Sequence, residues 1–188
     1  WCGAGGWRLG TFVFPPQLHW LRDAVAIAAS ETFTSVSAPI QHAAITAYQD
    51  NVEIDAYLDR SRRILAALGQ WCAAELRAAG AHCPTPEGGF YLLPDFSGLR
   101  SALLTRGIDD PSKLCTTLLE DTGVAVLPGT DFGRPTTELT IRLAYVDFDG
   151  ARALQAVQGD RPIDTAWLEA HCPRVVAGIN RMTAWLRA

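Results

Sequence analysis

Apolar positions along the chain follow helical spacing in some stretches and strand-like runs in others. Leu18, Leu21, Val25 and Ala28 lie near one face of a helix running from Leu18 to Ala29. Thr34 to Ser37 is a polar break with N-capping side chains, and Pro39 suits the first turn of a second helix reaching about Tyr48. From Ile54 to Ala79 the residues Tyr57, Leu58, Ile64, Leu65, Leu68, Trp71 and Leu76 form the longest helical pattern, with Gly80 as a natural stop. The pattern then changes to strand, helix, strand, strand: Gly89 to Leu93, Pro111 to Thr122, Val124 to Leu127, and Leu139 to Val146. Two helices close the chain, from about Asp149 to Val157 and from about Pro173 to Leu186. Arg8 to Phe14 is rich in β-formers and stops at Pro15-Pro16, so it reads as a short strand ended by a turn.

Alternating strands and helices place the chain in the α/β or α+β class. A boundary near residues 50 to 54 separates a short N-terminal part, 1–52, from a C-terminal domain, 53–188, with the long helix spanning it. No internal repeat or low-complexity tract is visible. At 188 residues the chain can bury a sizeable core. Its 48% hydrophobic and 19% charged content describe a packed globular protein. A net charge of −4 without any basic run argues against nucleic acid or an anionic membrane surface as partner.

The five cysteines, Cys2, Cys72, Cys83, Cys115 and Cys172, are odd in number and widely spaced, as in a reduced compartment. His82-Cys83 and His171-Cys172 are adjacent pairs, and adjacent residues rarely share one tetrahedral zinc, so no metal is expected. No signal-peptide pattern or bilayer-length apolar run is visible, and the cytoplasm is the expected location.

The first ten residues carry the strongest chemical signal: Trp1-Cys2-Gly3-Ala4-Gly5-Gly6-Trp7-Arg8-Leu9-Gly10. This segment resembles the stretch immediately after the Schiff-base lysine in pyridoxal-phosphate aminotransferases of class I/II, fold type I. The resemblance continues in order along the chain. Thr34 to Ala44 is similar to the segment leading into the interdomain helix, and Gly88-Gly89-Phe90-Tyr91-Leu92 to the first small-domain strand. Val126 to Gly133 resembles the Pro-Gly-x-x-Phe-Gly turn, and Ile141-Arg142-Leu143 the strand bearing the substrate-binding arginine. Each pattern is weak alone; five in order are specific.

The resemblance implies the C-terminal portion of that fold: the last strand of the large domain, the interdomain helix and a small α+β domain. It also implies the cofactor pyridoxal 5'-phosphate, an α-amino acid and a 2-oxo acid as substrates, and a homodimer. Arg8 matches the arginine that helps hold the cofactor phosphate, a dianion suited to a guanidinium fork. Gly5-Gly6 would let the backbone approach the cofactor closely. Arg142 matches the arginine that grips the substrate α-carboxylate. At the centre of Leu139 to Ala144 it is exposed or awaits an anion, because an unpaired buried guanidinium is costly. Phe132 is either a wall of the substrate site or a plug of the small-domain core, whereas packing is the expected role of Tyr91. Thr34 and Ser35 fall where family members reach toward a partner subunit, with helix capping as the other reading.

Counting back from Gly6-Trp7-Arg8, the Schiff-base lysine falls just before Trp1, so no catalytic residue is assigned within the chain. Lys113 comes after a serine, but no Gly-Trp-Arg comes after it, and a helix-surface role is expected. Carbon–sulfur β-elimination on the same fold, and a truncated non-catalytic dimerisation or interaction module, remain alternatives to transamination. Trp7, Phe12 and Phe14, without a sheet to pair with, lead us to expect aggregation or poor solubility of the 188-residue chain by itself.

Overall fold

A 27-residue helix, Val52–Ala78, dominates the architecture of this computed structural model, which describes residues 3–33, 35–159 and 161–188. At 1.5 Å per residue the helix is about 40 Å long. Asn51 starts it, its side-chain oxygen accepting from the N–H groups of Glu53 at 2.9 Å and Ile54 at 3.2 Å. Glu53 and Asp55 in the first turn and Arg77 in the last complement the helix dipole. Ile64, Leu68, Cys72 and Leu76 recur every fourth residue and are buried. Trp1, Cys2 and Thr34 lie outside the described residues.

Contacts divide the chain into two units, 1–59 and 60–188. The division falls inside the long helix. In the first unit lie α1, His19–Thr32, and α2, Ala38–Ala47; the 27-residue helix is α3. No residue of α1 is buried, and Trp20 and Ile27 are 66% and 69% exposed. Only Ala44 and Ala47 of α2 are buried. The expected strand over Arg8 to Phe14 is not formed. Gly5–Trp7 makes a 3-10 turn instead, and residues 8–15 run without regular structure. β-formers become a strand only where a neighbour accepts their backbone hydrogen bonds, and no described segment pairs with this one.

The second unit contains a three-stranded antiparallel sheet in the order β1-β3-β2, with β1 Tyr91–Leu92, β2 Leu127–Pro128 and β3 Ile141–Ala144. All three are shorter than the sequence pattern suggested. Around them lie α4, Arg100–Thr105; α5, Pro111–Thr122; α6, Gly150–Ala156; α7, Thr165–His171; and α8, Pro173–Arg187. The bounds of α5 match the sequence expectation because both ends are chemically marked. Asp110 caps its start by accepting from the Lys113 N–H at 3.0 Å. Gly123, with φ +70°, ends it in a left-handed turn that disfavours side chains. Short α4 and α7 carry too few turns to show a periodicity, and the sequence pattern missed them.

One core joins α3, α5, α8 and one face of the sheet. It contains Leu68 and Leu76, Leu114 and Leu118, Ile179 and Met182, and Leu92, Ile141 and Leu143. Burying each such side chain contributes roughly 1.5–3 kcal/mol before entropy is counted. Strand alternation then turns Tyr91, Arg142 and Ala144 away from that core.

Candidate active site

The register of β3 decides what surrounds Arg142. Leu127 pairs with Arg142 and Pro128 with Ile141 on one side; Tyr91 pairs with Ala144 and Leu92 with Leu143 on the other. Tyr91 is therefore a diagonal neighbour of Arg142 on the same face, within reach of a long side chain. The Arg142 guanidinium carbon lies 4.6 Å from the Tyr91 ring centre and 4.2 Å from that of Phe132. Each such contact contributes about 0.5–1 kcal/mol at an exposed site. No hydrogen bond or ion pair to the Arg142 side chain occurs among the described residues. The guanidinium carbon lies over both rings, and its N–H groups have no acceptor among the described residues.

Both rings are 41% exposed, so neither fills the core. For Tyr91 this corrects the packing role expected from the sequence: strand alternation gave the inward place to Leu92. Phe132 likewise does not plug the small-domain core. The ring lies against Arg142, at the end of a 3-10 turn, Gly129–Phe132. That turn is pinned where the Gly129 N–H donates to the Thr140 carbonyl at 2.8 Å. A Cβ on Gly129 would sit 2.9 Å from Thr140 Cβ and 3.0 Å from its carbonyl oxygen, and closer still to Oγ1. Thr140 is buried, and its hydroxyl has no partner among the described residues.

Arg8 belongs to the first unit. It is exposed and has a left-handed backbone, φ +56°, alone among the described non-glycine residues. Such a conformation is uncommon for a long side chain and persists where the surroundings impose it. The preceding turn contains Gly5 and Gly6, with nothing within 4 Å of where their Cβ atoms would stand. An exposed cation beside side-chain-free backbone fits a phosphate dianion in charge and in access.

Lys113 is a helix-surface residue, as expected, 3.7 Å from Asp109 on the first turn of α5. Ser35 is exposed, and it does not cap α2; the residue at the cap position is Ser37, whose side chain makes no capping bond. Among the described residues no cluster of His, Cys, Asp and Glu could hold a metal ion. No helix there is long and apolar enough to cross a membrane. Sequence reasoning missed Tyr145. It is 2% exposed, and its hydroxyl donates to the Gly89 carbonyl at 3.1 Å. Burial, with Cys72 nearby, pushes its phenol pKa up and keeps the donor protonated.

Comparison with known proteins places this geometry in a family. The sequence profile of aminotransferase class I and II matches residues 2–154. The chain belongs to that family. Its members depend on pyridoxal phosphate, the cofactor expected from the sequence. An asparagine–oxo-acid transaminase from Streptococcus mutans is 33% identical over 145 residues, covering 74% of this chain and 33% of the relative. An aspartate/prephenate aminotransferase from Cereibacter sphaeroides is 33% identical over 151 residues, covering 77% and 34%. The fold matches a Thermus thermophilus aspartate aminotransferase structure with maleate at a TM-score of 0.64 and 24% identity, covering 96% of this chain and 37% of that one. The chain thus spans about a third of the length of the curated relatives it matches. With that coverage, the fold is the C-terminal portion of the fold type I architecture.

Proposed function

We propose that the protein to which these residues belong is a pyridoxal-phosphate-dependent aminotransferase that moves an amino group between an α-amino acid and a 2-oxo acid. The observation that carries this reading is Arg142, whose guanidinium lies over the Tyr91 and Phe132 rings with its N–H groups unpaired among the described residues. A planar fork of donors matches a carboxylate bidentately. Arg142 binds the substrate α-carboxylate, Phe132 walls that position, and Arg8 binds the cofactor phosphate. When bound, the cofactor supplies a conjugated ring that accepts the electron pair released at the substrate Cα. Fixing the carboxylate removes rotational freedom from the Cα bonds.

Working as a homodimer agrees with the open apolar surface of the first unit, where Phe12, Trp20, Ile27 and Phe33 are all more than 60% exposed. A cytoplasmic location agrees with the free thiols of Cys72, Cys83, Cys115 and Cys172. The decisive experiment replaces Arg142 by Ala in the whole protein and measures turnover of L-aspartate with 2-oxoglutarate. The loss expected in kcat/KM is about 2–5 kcal/mol, roughly 30-fold or more. Unchanged turnover overturns the assignment.

A further inference from the structure

Tyr145 lies three residues beyond Arg142 in β3's continuation, and both its polar groups hold the same neighbouring segment. Its backbone N–H donates to the Phe90 carbonyl at 3.2 Å, and its hydroxyl to the Gly89 carbonyl at 3.1 Å. These two carbonyls immediately precede Tyr91, whose ring lies against Arg142. Phe90 meets the Tyr91 ring at a tilt of 44°, the ring centres 4.4 Å apart.

Arg77 anchors the start of this segment, donating to the Cys83 carbonyl at 2.8 Å and to the Thr85 hydroxyl at 3.4 Å. Residues 83–90 have no regular structure, and a cavity of about 470 Å³ separates part of it from α3. Arg62 and Gln70 of α3 line one side of that cavity, and Pro86, Gly88 and Gly89 the other, with Tyr145 between. Pro86 lies close to Gly69 of α3, and beyond it Gly88 and Gly89 border the open space. Gly89 takes a φ of +69°, so its carbonyl is aimed by a conformation that other residues resist.

The ring of Tyr145 is itself held with little freedom. It is 2% exposed, and a Cβ on Gly69 of α3 would come within 2.7 Å of its hydroxyl oxygen. The absent side chain at Gly69 leaves the room that the phenol occupies. A rigid, buried donor thus holds the Gly89 end of this loop, next to Tyr91.

We propose that Tyr145 is a positioning residue for carboxylate binding, acting through Gly89 and Tyr91 to keep the Arg142 guanidinium in place. The proposal rests on the reading of Arg142 as the carboxylate-binding residue. Its predicted signature is weaker binding of the carboxylate with little change in the rate of the chemical step, because Tyr145 acts through Arg142 and touches no reacting atom.

The test uses Tyr145→Phe in the whole protein, which keeps the ring and removes only the hydroxyl. Maleate binding is measured by calorimetry, kcat and KM with L-aspartate and 2-oxoglutarate, and Tm by circular dichroism. Losing one neutral hydrogen bond should raise the maleate Kd and the L-aspartate KM about two- to sixfold, with kcat within about twofold of the parent. Arg142→Ala is the control. If that control weakens maleate binding and Tyr145→Phe changes neither Kd nor KM, the positioning role is overturned and the carboxylate site stands. A lowered Tm with unchanged Kd has the same meaning, since the bond would then serve folding alone. If Arg142→Ala leaves maleate binding intact, the reading of the site falls, and this inference with it.

Discussion

Gly129→Ala tests how rigidly the Phe132 wall is held. Gly129 does not have a positive φ, so alanine meets no backbone strain there. On backbone entropy alone the change would stabilise the protein by about 0.4–1 kcal/mol. Space opposes it. The new methyl would lie 2.9 Å from Thr140 Cβ and 3.0 Å from the Thr140 carbonyl oxygen. Neither atom is the end of a flexible side chain, and that carbonyl accepts the Gly129 N–H at 2.8 Å. The turn or the strand must shift, and overpacking of this kind costs about 1–3 kcal/mol. Steric cost therefore exceeds the entropic gain, and the expected net loss is about 1–2 kcal/mol. Urea unfolding followed by circular dichroism reads it directly. Thr140→Ala in the same background removes Oγ1 but leaves Cβ and the carbonyl, so it should restore part of the loss, with a coupling of about 0.5–1 kcal/mol. Phe132 lies three residues beyond the clash, so maleate binding should weaken as well. A Gly129→Ala protein as stable as its parent would show that the turn yields freely and would refute the reasoning.

Two further outcomes concern groups outside the Arg142 site. Arg8→Ala should weaken pyridoxal phosphate binding to the whole protein about 10- to 100-fold, the loss of one charge-assisted hydrogen bond; unchanged affinity in equilibrium dialysis would remove Arg8 from the phosphate site. Burial pushes the Cys72 thiol up to about 12, and Cys115 and Cys172 to about 11, from an ordinary 9.0. The folded pKa values lie above the unfolded ones, so this contribution to stability is complete below pH 9 and is lost as pH rises toward 11–12. Urea midpoints measured from pH 7 upward should hold level and then fall above pH 9, with a shallower fall in Cys72→Ala; a midpoint equally steep in that variant would exclude the thiol as a cause.

Legibility in the sequence depended on how local each determinant is. The bounds of α5 could be read because an Asp cap and a Gly stop lie within the segment itself. The long helix could be read from its buried residues at four-residue spacing. Strands were harder: Tyr91–Leu92 has two paired residues, and their limits are set by the partner strand. Arg8 to Phe14 misled for the same reason, as β propensity without a paired neighbour is not a strand. Arg142 could be picked out by its motif, but the two rings that enclose it come from 51 residues before and 10 before it, and their approach depends on register. The role of Tyr145 was hidden for a similar reason. Its partner carbonyl is 56 residues away, and nothing in the intervening pattern announces it.

The choice of rings around Arg142, in place of an acidic partner, bears on what the site can bind. An aspartate or glutamate paired with this guanidinium would occupy the same in-plane N–H donors that a substrate carboxylate needs. Binding would then exchange one ion pair for another, and the net gain would be small. Asp131 is next to Phe132 in sequence, yet no ion pair joins it to Arg142 among the described residues. Tyr91 and Phe132 instead stabilise the cation by cation–π contact, by about 0.5–1 kcal/mol each, while its N–H donors have no partner among the described residues. A carboxylate adds charge-assisted hydrogen bonds of about 1.5–3 kcal/mol each without displacing what is already there. On the proposed reading, a carboxylate would complete what the two rings leave unsatisfied. It also predicts an order of severity. Phe132→Leu or Tyr91→Leu, each removing one ring, should cost less maleate affinity than Arg142→Ala, because the rings hold the guanidinium in place whereas the guanidinium makes the bond.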